Sequence, residues 1–196
     1  EYLEIVKKPK YGYGSQLNPC LDCRILMFKK AKEFMENIGA SFIITGEVLG
    51  QRPMSQHFHA LKLIEREAGL EGLIVRPLSA KLLPPTFPER EGWVNREKLL
   101  SIKGRSRKIQ MALFREVGLK DFPCPAGGCL LTDPSFARRL RDLFRYNSDF
   151  TLRDVELLKV GRHFRLSPKA KFIVGRNELE NRKLLFFRSK QEIIFC

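Results

Sequence analysis

Four of the five cysteines stand in two closely spaced pairs, an arrangement typical of metal binding or sulfur chemistry. The pairs are Cys20 with Cys23 and Cys124 with Cys129, and Cys196 ends the sequence. Four converging thiolates would form a structural zinc site, whereas three would leave an open position for an iron–sulfur cluster or a nucleophile. The alternative for Cys124 is a small hydrophobic residue of the core, and we interpret Cys196 as incidental.

The first cysteine pair lies where a loop becomes a helix. A helix N-terminus favours a thiolate because the peptide dipole places partial positive charge there, and Arg24 adds a full charge. An isolated pair binds metal poorly. We therefore predict that the two pairs converge on one site, although about a hundred residues separate them.

A polar loop, TGEVLGQRPMSQ, follows the first predicted strand. Ligands of open α/β sheets bind beyond the carboxyl ends of the strands. The glycines of this loop permit close backbone contact, and its Glu, Gln and Ser side chains offer hydrogen-bonding groups. The loop is a candidate ligand site, although a solvated turn has a similar composition.

Positive charge dominates the chain. Lys and Arg number 36 against 22 Asp and Glu, a net charge of +14, and the pI is about 9.8. Such an excess points to a polyanionic partner, most often nucleic acid. We predict phosphate contacts for eight residues: Lys103, Arg105, Arg107, Lys108, Arg138, Arg139, Arg162 and Arg165. Solvated faces are the alternative, and few aromatic residues are interleaved with these basic residues, which gives little indication of base stacking.

The composition excludes two classes of protein. Fifteen Phe, four Tyr and one Trp are too many aromatic residues for a disordered chain. No apolar run approaches the roughly 20 residues that span a bilayer, and we expect no signal peptide. We expect a cytoplasmic protein that does not associate with membranes.

Hydrophobic periodicity predicts which elements position these residues. Helices are predicted over 21–38, 57–68, 134–146 and 178–185, with two more between 95 and 117 that break at Gly104. Strands are predicted at 41–45 and 73–75. This alternation is typical of parallel βαβ units. The pattern changes near residue 148, so we predict an α/β domain over 1–148 and a small α+β module over 149–196.

Several motifs together resemble one enzyme family. NPCLDC, TGEVLGQRPMSQ, VRPL and AGGCLLTD, within residues 16–133, are similar to motifs of the tRNA thiouridine synthases. TGEVLGQ looks most like the 4-thiouridine branch, and the two cysteine motifs look more like the 2-thiouridine branch. The segment VGRHFRL…KFIVGRNELEN, near residues 160–181, resembles the small RNA-binding module of NFACT-type proteins.

The resemblance implies a fold and a reaction. Thiouridine synthases are ATP-dependent tRNA sulfurtransferases of the adenine-nucleotide alpha-hydrolase superfamily, so the first domain would contain a partial Rossmann-like parallel sheet. ATP, with Mg²⁺, would adenylate a uracil carbonyl oxygen and make AMP the leaving group. Sulfur would arrive as a cysteine persulfide or as hydrosulfide on a [4Fe-4S] cluster. The implied partners are tRNA and a sulfur-donor protein or sulfide.

The same resemblance assigns residues to roles. Cys23 and Cys129 are similar to the two catalytic cysteines, and Cys20 matches the third cluster ligand. Four residues would line the nucleotide: Thr45, Gly46, Glu47 and Gln51. The SGGxDS pyrophosphate loop of this superfamily does not occur in the sequence, and we expect it upstream of Glu1. A zinc-stabilised, non-catalytic RNA-binding protein that uses all four paired cysteines is the alternative hypothesis.

Overall fold

The computed structural model describes residues 1–119 and 128–187 of a mixed α/β chain. Two compact units form it, the first from Glu1–Gly14 and Pro19–Gly127 and the second from Ser15–Asn18 and Gly128–Cys196. The predicted boundary near residue 148 falls within the second unit. No helix in the described part of the chain is long and apolar enough to cross a membrane.

The first unit contains helices on a short parallel sheet. Its elements are α1 (Tyr2–Lys7), α2 (Cys20–Asn37), β1 (Ile43–Ile44), α3 (Phe58–Ala68), β2 (Ile74–Val75), α4 (Phe87–Arg90) and α5 (Lys108–Glu116), with 3-10 turns at Ala80–Leu82 and Arg96–Lys98. Ile43 pairs with Ile74, and Ile44 pairs with Val75. The predicted βαβ arrangement is confirmed, with shorter strands than expected.

The apolar faces of α2 and α3 pack together and form the main core of the first unit. Its buried members are Ile25, Phe28, Met35, Ile64, Ala68, Leu70 and Ile74. Helix α3 begins after His57, whose Nδ1 accepts a hydrogen bond from the Ala60 amide at 3.2 Å. It ends at Gly69, whose φ of 64° lies in the left-handed region that favours glycine.

The second unit combines helices with a hairpin. Its elements are a 3-10 turn (Leu130–Thr132), α6 (Pro134–Tyr146), α7 (Leu152–Leu157), β3 (Arg162–Ser167), β4 (Ala170–Val174) and α8 (Glu178–Phe186). Asp133 caps α6, because its Oδ1 accepts from the Phe136 amide at 2.6 Å. The buried side of α6 supplies Phe136, Leu140 and Leu143 to the core of this unit.

One helix prediction is wrong. Periodicity predicts two helices between residues 95 and 117, but only α5 and a 3-10 turn form among these residues. The backbone of 99–102 instead pairs with 77–81: the Leu100 amide donates to the Pro77 carbonyl at 2.8 Å, and the Ile102 amide donates to the Leu78 carbonyl at 2.8 Å. These hydrogen bonds satisfy the backbone without a helix, and they bury Ile102.

Candidate functional site

A buried ion pair joins the loops that follow the two parallel strands. Arg76 directly follows β2, and Glu47 lies in the loop after β1. The Arg76 Nε donates to the Glu47 Oε2 at 2.9 Å, and both side chains are only 3% exposed. Because parallel strands end at the same edge of a sheet, this pair marks the edge where ligands bind in α/β folds.

Two more charged side chains extend the pair into a network. Arg24, near the start of α2, donates through Nη2 to the Glu47 Oε1 at 2.5 Å. Arg76 also donates through Nη1 to Glu65 of α3. Both Glu47 oxygens are therefore bound to arginines, so Glu47 fixes the loop in place. Its predicted contact with a nucleotide stays a prediction.

The loop after β1 is also attached to the basic segment that begins at Lys103. The Ser79 hydroxyl accepts from the Leu49 amide at 2.9 Å and donates to the Ile102 carbonyl at 2.7 Å. The Gly104 amide donates to the Leu49 carbonyl at 2.8 Å. The structure thus brings the predicted ligand loop next to a predicted RNA-binding cluster, although about fifty residues separate them in sequence.

Several polar atoms around this loop are buried and have no hydrogen-bond partner among the described residues. They are the Gln51 Nε2, Gln56 Oε1, Arg24 Nε and Arg76 Nη2 atoms. Leaving such groups unsatisfied costs about 1–3 kcal/mol each, so they favour a polar ligand or ordered water. Gly46 is exposed and Thr45 is half-buried, so both remain accessible at the same loop.

The first cysteine pair is attached directly to this network. Cys20 is the first residue of α2, and the Cys23 amide donates to the Pro19 carbonyl at 2.8 Å. Both cysteines are half-buried. Cys23 immediately precedes Arg24, so one peptide bond separates the thiol-bearing residue from the residue that binds Glu47. The predicted position of the pair at a helix start is confirmed.

Of the second cysteine pair, only Cys129 lies within the described residues. Cys129 is exposed and precedes the 3-10 turn of the second unit, and Cys124 lies outside the described residues. Within 1–119 and 128–187, no group of three or more His, Cys, Asp or Glu side chains is arranged to hold a metal ion. Convergence of the two pairs stays a prediction.

The predicted RNA-contacting residues differ in how accessible they are. Two of these residues, Arg107 and Arg139, are half-buried. Five are exposed: Lys103, Arg105, Lys108, Arg138 and Arg162. Arg165 is also half-buried, and it is already engaged within the protein. Its guanidinium donates to both oxygens of Asp142, at 3.0 Å and 2.7 Å. Hydrogen bonds from Arg165, and then from Lys171, lower the pKa of Asp142 to about 2.

Sequence reasoning missed the ion pairs that Arg24, Arg76 and Glu65 form in this network. Arg76 belongs to VRPL, a motif to which the sequence alone assigns no function. A signal was present, because a charged residue directly after a fully apolar strand is expensive to bury without a partner. The pairing partners could not be identified, since Arg76 and Glu47 lie 29 residues apart.

Two family models match separate parts of the chain. Residues 4–81 match the family described as thiamine biosynthesis protein (ThiI). Residues 161–196 match the family described as NFACT protein RNA binding domain. Neither a curated protein nor a solved structure matches significantly.

These matches confirm the combination that the motifs suggested. The ThiI match contains the first cysteine pair and the charged network of Arg24, Glu47, Glu65 and Arg76. Cys129 lies outside both matched ranges, whereas Cys20 and Cys23 lie within the first of them.

Proposed function

We propose that this chain is part of an ATP-dependent tRNA sulfurtransferase that thiolates uridine. One observation carries the proposal: a buried network attaches a thiol-bearing helix start to the loop after a parallel strand, within the region that matches the ThiI family. A reaction that joins sulfur to an activated nucleotide needs these two parts side by side.

The loop suits the nucleoside part of an adenylate. The buried donor at Gln51 and the acceptor at Gln56 are unpartnered within the described residues, and they match the mixed donor and acceptor edge of a purine. ATP supplies the AMP leaving group for the reaction. No SGGxDS loop occurs in the sequence to hold the phosphates and Mg²⁺, so the proposed role of this chain is limited to the nucleoside side and the thiols.

The proposed sulfur transfer uses Cys23 and Cys129. The terminal sulfur of a persulfide on one cysteine attacks the activated uracil carbon, and AMP leaves with the oxygen. The thiolate of the other cysteine then attacks the inner sulfur, which releases thiouridine and forms a Cys23–Cys129 disulfide. Hydrosulfide attack on that disulfide would restore a persulfide and a thiolate; with a persulfide-carrying donor protein, a thiol reductant must act first.

This mechanism requires Cys23 and Cys129 to converge, and that convergence is predicted from the two cysteine motifs alone. A cluster route needs the same convergence, since Cys20 and Cys23 supply only two of the three thiolates that it uses.

The test measures the amount of thiolated nucleoside by mass spectrometry of digested tRNA. The complete protein, together with its pyrophosphate loop, is compared with Cys23→Ser, Cys129→Ser and the control Cys196→Ser. Serine is nearly the same size but carries no persulfide and ligates iron poorly. We expect both site variants to abolish thiolation while tRNA binding persists, and Cys196→Ser to be silent. Full thiolation by Cys23→Ser would overturn the assignment.

Cys124→Ser separates the enzyme from the zinc-stabilised RNA-binding protein. The enzyme with three working thiols predicts retained activity. The protein with a four-thiolate zinc site predicts loss of metal and a fall in the free energy of unfolding, because a structural metal contributes folding energy directly. Anaerobic purification adds a second readout, since a brown protein indicates a cluster and a colourless one with bound zinc indicates the alternative.

A further inference from the structure

The β3–β4 hairpin of the second unit turns its apolar residues outward. Its side chains alternate between two faces from Arg162 to Leu166 and along β4, and the pairing has a register irregularity between Arg165 and Ser167. The half-buried inner face carries His163, Arg165, Lys171 and Ile173. The exposed outer face carries Arg162, Phe164, Leu166, Ala170, Phe172 and Val174. A hairpin that only needed to pack on its unit would show the opposite pattern, with polar residues outward.

Two phenylalanines stand side by side on this outer face. Phe164 and Phe172 are direct partners across the antiparallel strands, and they are 48% and 45% exposed. Direct cross-strand partners hold their Cβ atoms about 5 Å apart, so the two side chains leave the hairpin from adjacent positions. Leu166 is 72% exposed beside them. The hairpin therefore presents two phenylalanines and a leucine to solvent.

Ionic contacts on the inner face fix this orientation. Arg165 and Lys171 both bind Asp142 of α6, with Nζ of Lys171 at 3.0 Å from Oδ2. A register shift of one residue would break these contacts and reverse both faces. Gly161 fixes the start of β3, because its φ is 75° and a Cβ there would lie 2.7 Å from the Val174 carbonyl oxygen. These contacts therefore fix the strand register that turns Phe164 and Phe172 outward.

The charged residues around the two phenylalanine rings are positive, which favours an anionic ligand. None of the six outward positions is acidic, Arg162 shares the face with the rings, and Lys169 is exposed in the turn between the strands. Exposed aromatic rings on a strand pair, bordered by cations, fit unpaired nucleotides: bases stack on the rings and phosphates meet the cations. The match to an RNA-binding domain covers both strands.

We propose that Phe164 and Phe172 form a stacking surface for unpaired bases of RNA, with Arg162 and Lys169 contacting the backbone. In the cell this inference rests on the proposed tRNA function, which would supply loops or single-stranded ends as ligands. The stacking itself requires only a single-stranded segment. It recognises exposed base faces and discriminates against a duplex, whose bases already stack on one another.

Binding of a fluorescein-labelled oligouridylate to the full chain tests the proposal by anisotropy. Phe164→Ala and Phe172→Ala should each weaken binding about tenfold, because one base–aromatic stack is removed. Leu152→Ala, at an exposed apolar position of α7, is the matched control and should bind normally. Arg162→Gln should lower the log–log salt slope by about one unit, whereas the phenylalanine variants should leave the slope unchanged.

A tryptophan variant tests the same surface without the alanine substitutions, which could weaken binding by destabilising the fold. In a Trp93→Phe background, Phe164→Trp introduces the sole tryptophan of the chain. Its fluorescence should be quenched when oligouridylate is added and changed little by a duplex of equal length. Unchanged fluorescence with bound RNA, or unchanged affinity of a folded Phe164→Ala, Phe172→Ala double variant, would overturn the proposal.

Two controls separate base stacking from self-association and from the sulfurtransferase function. If the double variant changes self-association in sedimentation while RNA affinity stays the same, the face is a protein interface and the proposal is wrong. Cys23→Ser should bind oligouridylate normally whether or not it thiolates tRNA. Failure of the sulfurtransferase function is therefore distinguishable from failure of the stacking surface.

Discussion

The two units place charge and apolar surface in opposite ways. In the first unit, Arg24, Arg76 and Glu47 are drawn inward and bound to one another at the ends of two strands. In the second unit, Phe164 and Phe172 face outward while Arg165 and Lys171 face inward. The difference shows that neither arrangement follows from burying apolar residues alone. Each arrangement has an energetic cost: the desolvation of charged groups in the first unit, and the exposure of apolar surface in the second.

The buried network is the part most sensitive to substitution. Glu47→Ala would leave the Arg76 guanidinium buried without its main counter-charge, so we expect a loss of about 3–5 kcal/mol in the free energy of unfolding. Urea denaturation of the full chain measures it. Glu36→Ala, at an exposed position on α2, is the control and should change stability by less than about 1 kcal/mol. Equal effects of the two substitutions would contradict the account.

In the second unit, the contact of Asp142 with Arg165 and Lys171 should stabilise the fold less than the buried network does, and its contribution should depend on pH. The folded pKa of Asp142 is about 2, below its ordinary value of 3.8. A lowered acid pKa stabilises the fold above about pH 4, and this contribution is lost as the pH falls toward 2. The shift corresponds to about 2 kcal/mol at pH 7. Asp142→Asn should lose this amount at pH 7, measured by denaturation.

The pH profile sharpens that prediction. The stability difference between Asp142→Asn and the parent chain should shrink between pH 4 and pH 2, because the parent carboxyl becomes protonated there. Asp149→Asn, at an exposed position outside α6 and the hairpin, is the matched control and should change the free energy of unfolding at pH 7 by less than about 1 kcal/mol. A difference that stayed constant down to pH 2 would show that Asp142 does not bind Arg165 and Lys171 as a carboxylate.

The exposed basic segment of the first unit should affect RNA binding without affecting the fold. Reversing Arg105 and Arg107 to Glu should weaken tRNA binding and flatten its salt dependence, since removing a single phosphate interaction lowers the log–log slope by about one unit. The double reversal Lys29→Glu with Lys98→Glu changes the net charge equally at other exposed sites. Identical gel-shift titrations for the two variants would remove Arg105 and Arg107 from the interface.

Sequence patterns could predict the local elements but not the contacts between distant ones. Helices α2, α3 and α6 were predicted closely, because helical periodicity and the Pro134 start are local signals. The segment 99–102 was predicted incorrectly, because its backbone partners at 77–81 are distant in sequence. The stacking surface could not be predicted from the sequence, since Phe164 and Phe172 become neighbours only through the hairpin register.

Some residues of the candidate site could likewise be predicted from the sequence, and others could not. Its cysteines and ligand loop could be found by residue type and spacing, and the start of α2 at Cys20 agrees with that prediction. The arginines that hold the loop could not, because a charged residue is assigned to the surface until its partner is known. Whether the two cysteine pairs share one site depends on the arrangement of two units, which no local pattern records.

That shared site is the central claim, and disulfide trapping tests it most directly. Cys20→Ser, Cys124→Ser and Cys196→Ser together leave Cys23 and Cys129 as the only cysteines. The folded protein is oxidised mildly at low concentration and digested, and its peptides are analysed by mass spectrometry. The account predicts an intramolecular Cys23–Cys129 disulfide that denaturation before oxidation greatly reduces. Two unlinked thiols, or links between molecules only, would contradict it.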